Sequence, residues 1–190
     1  MDGNRRWAKA RGLSTLEGHR EGYAKLKEII NWSKEAGIGY VTIYAFSTEN
    51  WNRTEEEVGY LMNLFRTVIG EVTKEAKEKG IKLVYIGQRD RFASDIQTAM
   101  TESEQSTQEC TALTLAVALS YGGRQEIIDA VHRIPNDKIA TITEEEFSKM
   151  LWTKDVADPD LIIRTSGEER LSNFLPWQSV YSEFFFTKTL

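Results

Sequence analysis

Residues 40–80 read YVTIYAFSTENWNRTEEEVGYLMNLFRTVIGEVTKEAKEKG, and this stretch decides the fold class. Its first seven residues, Tyr40–Phe46, are rich in β-branched and aromatic side chains on both faces, a pattern typical of a strand in the middle of a sheet. Thr54 and three following glutamates match a helix N-cap with acids in the first turn. The apolar residues beyond them recur at helical spacing as far as Gly80. The stretch therefore predicts a strand, a polar loop at residues 47–53 and a long amphipathic helix.

The same alternation extends in both directions along the chain. Upstream, residues 17–36 predict an amphipathic helix that Gly37 ends. Downstream, we predict strands at 81–86, 111–119 and 161–164 and helices at 93–105, 123–131 and 143–151. Strands that alternate with helices favour parallel pairing through right-handed crossovers. The prediction is an α/β fold: one domain, residues 1–190, with a central, mostly parallel sheet flanked by helices.

Composition limits the classes to which this chain can belong. Its 190 residues suit one globular domain. A formal net charge of -5 argues against a general nucleic-acid binder, because such proteins carry a basic surplus. The single cysteine, Cys110, and only two histidines exclude an intramolecular disulfide and a Cys/His zinc cluster. No apolar run reaches the ~20 residues of a membrane span, and the first residues lack a signal-peptide pattern. We expect a soluble protein of a reducing, cytoplasmic compartment.

Five arginines lie in three polar segments where ligands of such a fold would bind. These arginines are Arg5, Arg6, Arg53, Arg164 and Arg170. Ligands of open parallel sheets bind beyond the carboxyl ends of the strands, and a guanidinium group matches phosphate oxygens in a two-pronged geometry. Any one of these arginines alone is better explained as a surface charge paired with a glutamate. The five together favour a phosphorylated ligand.

The familiar nucleotide signatures are absent, so the predicted ligand is a phosphorylated molecule without a nucleotide. The chain has no G-x-x-x-x-G-K-[ST] loop and no G-x-G-x-x-G after a strand. Residues 121–124, YGGR, resemble a phosphate loop, but a Gly pair at a strand-to-helix turn more often serves backbone geometry alone. Phosphate oxygens with one or two carboxylates suit Mg²⁺. Asp2 and Glu183 are the candidate carboxylates, although an isolated carboxylate is also an ordinary solvated charge or helix cap.

Several sequence blocks together resemble a known family. The blocks are DGNRRWA at 2–8, GH at 18–19, FSTENWNR at 46–53, SYGGR at 120–124, DLIIRTSGE at 160–168, RLSNF at 170–174, WQ at 177–178 and YSE at 181–183. Their order and their spread over the whole chain resemble the cis-prenyltransferase family. The resemblance implies an enzyme that condenses isopentenyl diphosphate with an allylic diphosphate, here expected to be farnesyl diphosphate. Each step would release pyrophosphate and create a Z double bond.

The resemblance also implies a cofactor, partners and a cellular role. Mg²⁺ would assist release of the pyrophosphate. The product would be a polyprenyl diphosphate used as a carrier lipid, and the protein would associate peripherally with membranes through it. The enzyme would be a homodimer and would not bind nucleic acid.

Site residues follow from the same resemblance, position by position. Asp2 would hold Mg²⁺ on the diphosphate, and Glu183 would be a second carboxylate associated with the metal. Asn50 would accept the departing proton or, because an amide is a poor base, orient the diphosphate or a water molecule. The allylic diphosphate would be bound by Gly3, Asn4, Arg5, Arg6, Trp7 and His19. The isopentenyl diphosphate would be bound by Arg164, Arg170, Leu171 and Ser172. The remaining substrate contacts would come from Arg53, between the two diphosphates, and from Ser47, Thr48, Glu49 and Trp51.

The apolar tail of such a product needs an apolar channel. The resemblance places its walls at Ala45, at Leu113 and along one stripe of the long helix, Val58, Leu61, Met62, Phe65 and Ile69. The same stripe is equally well explained as ordinary core. The sequence does not indicate the product length.

The chain also departs from the family pattern. Ser14 and Thr15 stand where the family has Pro-Arg, Ala116 stands where it has Asn, and the connection at 131–143 is short. The resemblance leads us to expect one further strand before Met1 and a C-terminal segment after Leu190. Two other classes stay open: a non-catalytic partner subunit and a binding module for a lipid phosphate. The residues present at 2–4, 50 and 164–172 favour a catalyst over either.

Overall fold

The computed structural model describes all of residues 1–190. Six α-helices and five strands alternate along the chain. The helices are α1 (Asn4–Ala10), α2 (Thr15–Glu35), α3 (Glu55–Lys79), α4 (Ser94–Thr107), α5 (Gly123–His132) and α6 (Glu144–Ser148). The strands are β1 (Tyr40–Ser47), β2 (Ile81–Ile86), β3 (Leu113–Tyr121), β4 (Leu161–Arg164) and β5 (Glu183–Phe186).

The strands form two parallel sheets. β3 lies between β1 and β2 in a three-stranded sheet, and β4 pairs with β5 in a second, two-stranded sheet. Every pair is parallel and helices cover the faces of the larger sheet, which confirms the predicted α/β fold.

The expected position of β1 in the middle of the sheet is not observed within residues 1–190. Among these residues β1 lies at an edge, and β3, whose residues are almost all buried, is the middle strand. β1 is apolar on both faces because both are covered. Ile43 and Phe46 join the core against α3, while Tyr44 stacks on Phe174 at a ring separation of 4.7 Å on the other face.

Helix α1 replaces the loop expected at residues 2–7. It follows Gly3, whose φ of 99° is in the left-handed region that favours glycine. Ala8 is its only buried residue, so the segment has no apolar stripe by which a sequence pattern could reveal it. The helix packs closely on α2, where a Cβ at Gly18 would lie 2.3 Å from the carbonyl oxygen of Asn4. Gly18 therefore permits the contact that holds α1 in place.

The main core lies between one face of the larger sheet and helices α3 and α4. Leu61 and Ile69 of α3 pack with the strand residues Leu83 and Leu115 in a cluster of 14 buried residues. A smaller cluster around Tyr121 covers the other face and reaches Phe174 and Leu175 in the segment after β4. The two clusters hold the carboxyl ends of β1, β3 and β4 near one another.

Candidate active site

A cleft of about 1780 Å³ begins at these strand ends and continues between α2, α3 and the sheet. It collects most of the residues that the sequence predicted for the site. Fourteen of them line it: Asp2, Gly3, Asn4, Arg5, Arg6, His19, Ser47, Glu49, Asn50, Arg53, Arg164, Arg170, Leu171 and Ser172. The five arginines are thus gathered in one cleft of an acidic protein.

Four other predicted site residues do not line the cleft. The ring of Trp7 lies under the Arg11 guanidinium, 4.2 Å from its carbon. Trp51 points into the core, where its Nε1 donates to Ser120 Oγ at 2.8 Å. Thr48 lies against Gly122, since a Cβ there would come within 2.5 Å of Thr48 Oγ1. These three side chains support the site loops from behind. The fourth residue, Glu183, is described below.

At the cleft mouth, Arg164 joins the start of the chain to the segment after β4. Its Nη2 donates to Asp2 Oδ2 at 2.9 Å, and its Nη1 donates to Ser172 Oγ at 2.8 Å and to the carbonyl oxygen of Arg170. Burial alone would raise the pKa of Asp2, but hydrogen bonds from Arg164 and from the Gly3 amide outweigh it and lower that pKa. Asp2 is therefore a carboxylate at neutral pH.

A second group of positively charged side chains, Arg6 and Arg170, lies beside Arg164. Arg6 Nη2 donates to Ser166 Oγ at 2.7 Å and pairs with Glu168 Oε1 at 3.1 Å, and Arg170 contacts the same glutamate. The backbone here is unusual, because Ser166, Ser172 and Asn173 all have positive φ values, 76°, 49° and 67°. Non-glycine residues in this region are uncommon and cluster at ligand sites.

The third group surrounds His19. Arg53 pairs with Glu57 at 2.8 Å, and Arg5 lies 3.9 Å from the same carboxylate oxygen. Burial, and next the positive charge of Arg53, lower the pKa of His19, so its imidazole is neutral at neutral pH. Its Nε2 is buried and has no hydrogen-bond partner in the protein. An unpaired imidazole nitrogen next to two guanidinium groups is available to a phosphate oxygen.

The side-chain oxygen of Asn50 forms its hydrogen bond within its own loop. Its Oδ1 accepts from the Ser47 amide at 3.1 Å and so closes the turn that begins at the end of β1. The carboxamide nitrogen remains, and it can only donate. The geometry therefore favours an orienting role for Asn50 over proton acceptance.

The loops that follow β1 and β4 are fastened to each other. Asn173 Nδ2 donates to Glu49 Oε1 at 3.0 Å, and Asn173 Oδ1 accepts from the Arg124 amide at 2.9 Å. Three chain segments distant in sequence are therefore held at one place by a single side chain.

Comparison with known proteins agrees with this arrangement. The family described as "Putative undecaprenyl diphosphate synthase" matches residues 1–190. The chain belongs to this prenyltransferase family. An isoprenyl transferase of Thermotoga maritima is 46% identical over 100% of this chain and 83% of that protein. The ditrans,polycis-undecaprenyl-diphosphate synthase of Micrococcus luteus, named as (2E,6E)-farnesyl-diphosphate specific, is 45% identical over 98% of this chain and 77% of its own.

Solved structures show the same fold. Lavandulyl diphosphate synthase from Lavandula x intermedia, in complex with dimethylallyl diphosphate, superimposes with a TM-score of 0.94 at 35% identity. That match covers 100% of this chain and 85% of the other. A probable undecaprenyl diphosphate synthase from Campylobacter jejuni gives a TM-score of 0.81 at 32% identity, over 90% of this chain and 81% of the other. The predicted family and enzyme class are confirmed.

The two candidate Mg²⁺ ligands of this prenyltransferase, Asp2 and Glu183, differ in how well they suit the metal. Mg²⁺ usually takes one or two carboxylates and completes its shell with phosphate oxygens and water. Asp2 fits this pattern because it is ionised, lies at the cleft mouth and is 46% exposed. Glu183 pairs with Leu161 at the start of β4, whereas Asp2 contacts Arg164 at its end. Three residues of strand separate these points, about 10 Å. Within one chain, Glu183 therefore does not join Asp2.

One supporting residue was missed by the sequence analysis. Glu126 of α5 is completely buried and accepts four hydrogen bonds. Tyr121 Oη lies 2.5 Å from it, Gln178 Nε2 3.0 Å, and the amide and Oγ1 of Thr153 3.1 Å each. The network ties α5 to the segment that carries Arg170 and Ser172. A glutamate in the first turn of a helix usually faces solvent, so the sequence contains no signal for this role.

Proposed function

We propose that the protein condenses isopentenyl diphosphate with an allylic diphosphate, farnesyl diphosphate first among them, to make a Z-polyprenyl diphosphate. One observation carries the proposal. Five arginines from three separate chain segments converge at the mouth of a cleft whose inner walls are apolar. A diphosphate with a hydrocarbon tail matches both parts of this cleft.

Two diphosphates can be divided between the cationic groups. Arg5, Arg6 and His19 lie on α1 and α2 and would take the allylic diphosphate. Arg164, Arg170 and Ser172 would take the isopentenyl diphosphate. Arg53, half-buried behind them, would face both. Fixed positive charges are needed because two diphosphates repel one another, and holding both substrates together removes much of the entropic barrier to reaction.

Bond breaking then depends on stabilising the departing diphosphate. The allylic carbon–oxygen bond breaks as the new carbon–carbon bond forms, and negative charge grows on the leaving group. The guanidinium groups of Arg5 and Arg6 would stabilise that charge. Mg²⁺ held at Asp2 would supply further charge neutralisation when bound. Asn50, through its free amide nitrogen, would orient an oxygen of the departing diphosphate, and that oxygen would take the proton that leaves the isopentenyl unit.

The inner cleft would receive the growing hydrocarbon. Of the predicted channel walls, Ala45, Leu61, Phe65 and Ile69 line it, whereas Val58, Met62 and Leu113 do not. Leu113 is only 2% exposed and belongs to the core beneath the sheet. One face of α3 therefore lines the cleft, and its other apolar side chains pack elsewhere. No helix is both long enough and apolar enough to cross a membrane. From the family resemblance we infer a cytoplasmic protein that associates peripherally with the membrane through its carrier-lipid product.

We also propose that a further strand belongs between β1 and β4. Both strands line the same cleft, and each has an edge without a partner strand. The Asp2 amide donates to Thr165 Oγ1 at 2.9 Å just after β4, so the chain reaches Asp2 beside the end of that strand. A strand leading into Met1 would run parallel to β4. This placement supports the expectation of a strand before Met1.

Product chromatography tests the proposed activity. The protein, supplied with Mg²⁺, farnesyl diphosphate and isopentenyl diphosphate, should form polyprenyl diphosphates longer than the primer. Arg164→Lys should raise KM for isopentenyl diphosphate about tenfold, since a lysine cannot reproduce the two-pronged contacts of arginine. Arg133→Lys, on the exposed end of α5, is the matched control and should leave KM unchanged. Recovery of unreacted substrates alone would contradict the proposal.

A further inference from the structure

The apolar part of the cleft contains a polar side chain that no catalytic step uses. Tyr23 of α2 lines the cleft, and its Oη is buried without a hydrogen-bond partner. Tyr23 comes four residues after His19 and therefore lies on the same face of α2, one turn further from the arginines.

An ion pair between α2 and α3 fixes the ring of Tyr23. The Lys27 ammonium lies 5.1 Å from the ring centroid and 2.8 Å from Glu75 Oε2. Lys79 contacts Glu75 Oε1 at 2.6 Å and Asn31 Oδ1 at 2.7 Å, so the same carboxylate is held from both sides. Lys27, Glu75 and Lys79 all line the cleft. We call these three residues the polar bridge.

The polar bridge lies deep in the cleft, and Tyr23 lies between it and the mouth. Glu57, beside Arg53 at the mouth, and Glu75 in the bridge are both on α3, and 18 residues of helix span about 27 Å. The α3 residues between them that line the cleft are apolar: Leu61, Leu64, Phe65, Val68, Ile69 and Val72. Tyr23 is one helical turn beyond His19, and the apolar lining continues past it on α2 at Leu26, Ile29 and Ile30. A hydrocarbon entering at the arginines therefore meets the ring of Tyr23 part-way along the cleft.

We propose that Tyr23, held by the polar bridge, narrows the apolar cavity and limits the longest prenyl chain that the enzyme accepts. The proposal rests on the proposed function in taking the ligand to be a prenyl diphosphate. The aromatic ring obstructs the path sterically. The bridge adds an energetic limit, because hydrocarbon packed against it would remove water from ionised groups without offering hydrogen bonds.

The test compares two substitutions at one position. Tyr23→Ala removes the ring and should lengthen the main product by at least one five-carbon unit. Tyr23→Phe removes only the hydroxyl and should leave product length unchanged. Trp32→Ala is the control for a large-to-small change on the same helix, since Trp32 is 55% exposed and does not line the cleft. It should also leave product length unchanged.

A binding measurement decides the proposal independently of turnover. Calorimetry with unreactive prenyl thiodiphosphates of increasing length should show affinity rising with length and then falling at a limit. In Tyr23→Ala the limit should move to a longer chain, and the first analogue beyond the wild-type limit should bind about tenfold more tightly, because more hydrocarbon is buried. Identical limits in the wild type and Tyr23→Ala would overturn the inference. A shifted limit in a protein that makes no product would support it and count against the proposed activity alone.

Discussion

At the scale of single residues, His19 couples the charge of the cleft to stability. Burial and the nearby Arg53 lower the pKa of its imidazole in the folded protein, whereas an unfolded chain keeps the ordinary value of about 6.5. Between these two values the unfolded chain binds more protons than the folded one. The free energy of unfolding therefore rises with pH through this window and is lost as pH falls.

Urea unfolding between about pH 8 and pH 5 measures this effect. The free energy of unfolding should decrease as pH falls below about 6.5, and the decrease should be smaller in His19→Gln. His132→Gln, at the exposed end of α5, is the control and should retain the wild-type slope. An unchanged slope in His19→Gln would contradict the placement of His19.

The sequence could predict the charged site residues but not the roles of the tryptophans. Each of the five arginines alone could be a surface charge paired with a glutamate, but the five together favour an anion, and all five line the cleft. An aromatic residue in a loop also has two explanations, since it can contact a ligand or support the loop. For Trp51 the decision depends on Ser120, which is 69 residues away in the chain and whose hydroxyl accepts its Nε1–H. Local sequence does not contain that contact.

At the scale of elements, Glu126 is the residue that fastens helix α5 to the binding segment. Glu126→Ala leaves buried donors of Tyr121, Thr153 and Gln178 without an acceptor. The free energy of unfolding should fall by about 3 kcal/mol, as measured by denaturant unfolding. Glu145→Ala, on the exposed helix α6, should change it by less than about 0.5 kcal/mol. Equal effects of the two substitutions would mean that the network does not support the fold.

Strand positions were predictable from the sequence, but strand neighbours were not. Alternation between apolar strands and amphipathic helices located β1, β2, β3 and β4 to within about two residues. Which strand lies in the middle depends on pairings between distant segments, as between β1 and β3. Helix α1 was missed for a different reason, because a short helix with one buried residue leaves no periodic pattern.

At the scale of the whole molecule, an apolar surface suggests a second copy of the chain. Val180, Tyr181, Phe184 and Phe185 are 70%, 98%, 45% and 56% exposed in or next to β5. Large exposed apolar side chains gathered in six residues of chain are typical of interfaces. We propose that it is buried in the homodimer that the family resemblance implies, and light scattering should give about twice the 21.7 kDa mass of one chain.

A pair of matched variants locates the interface. Tyr181→Asp should shift the protein to the monomer, because a buried unpaired charge is costly. Ile139→Asp changes an exposed apolar residue in the loop before α6 and should leave the dimer intact. A monomeric wild type would contradict the homodimer.

For the whole molecule, the positions of the charged residues indicate the function, and the net charge does not. A net charge of -5 gives no indication of a cleft that brings the five predicted arginines together with the ionised Asp2. The central claim is that this cleft joins an allylic diphosphate and isopentenyl diphosphate through a new carbon–carbon bond and releases one pyrophosphate.

Pyrophosphate release is the measurement that tests this claim most directly. With Mg²⁺, farnesyl diphosphate and radiolabelled isopentenyl diphosphate, the wild type should release one pyrophosphate for each isopentenyl unit incorporated. Asp2→Asn keeps the shape of the side chain but removes its charge, and it should lower both rates together by about 100-fold. Binding of both substrates by the wild type without release or incorporation would contradict the account and identify a binding protein.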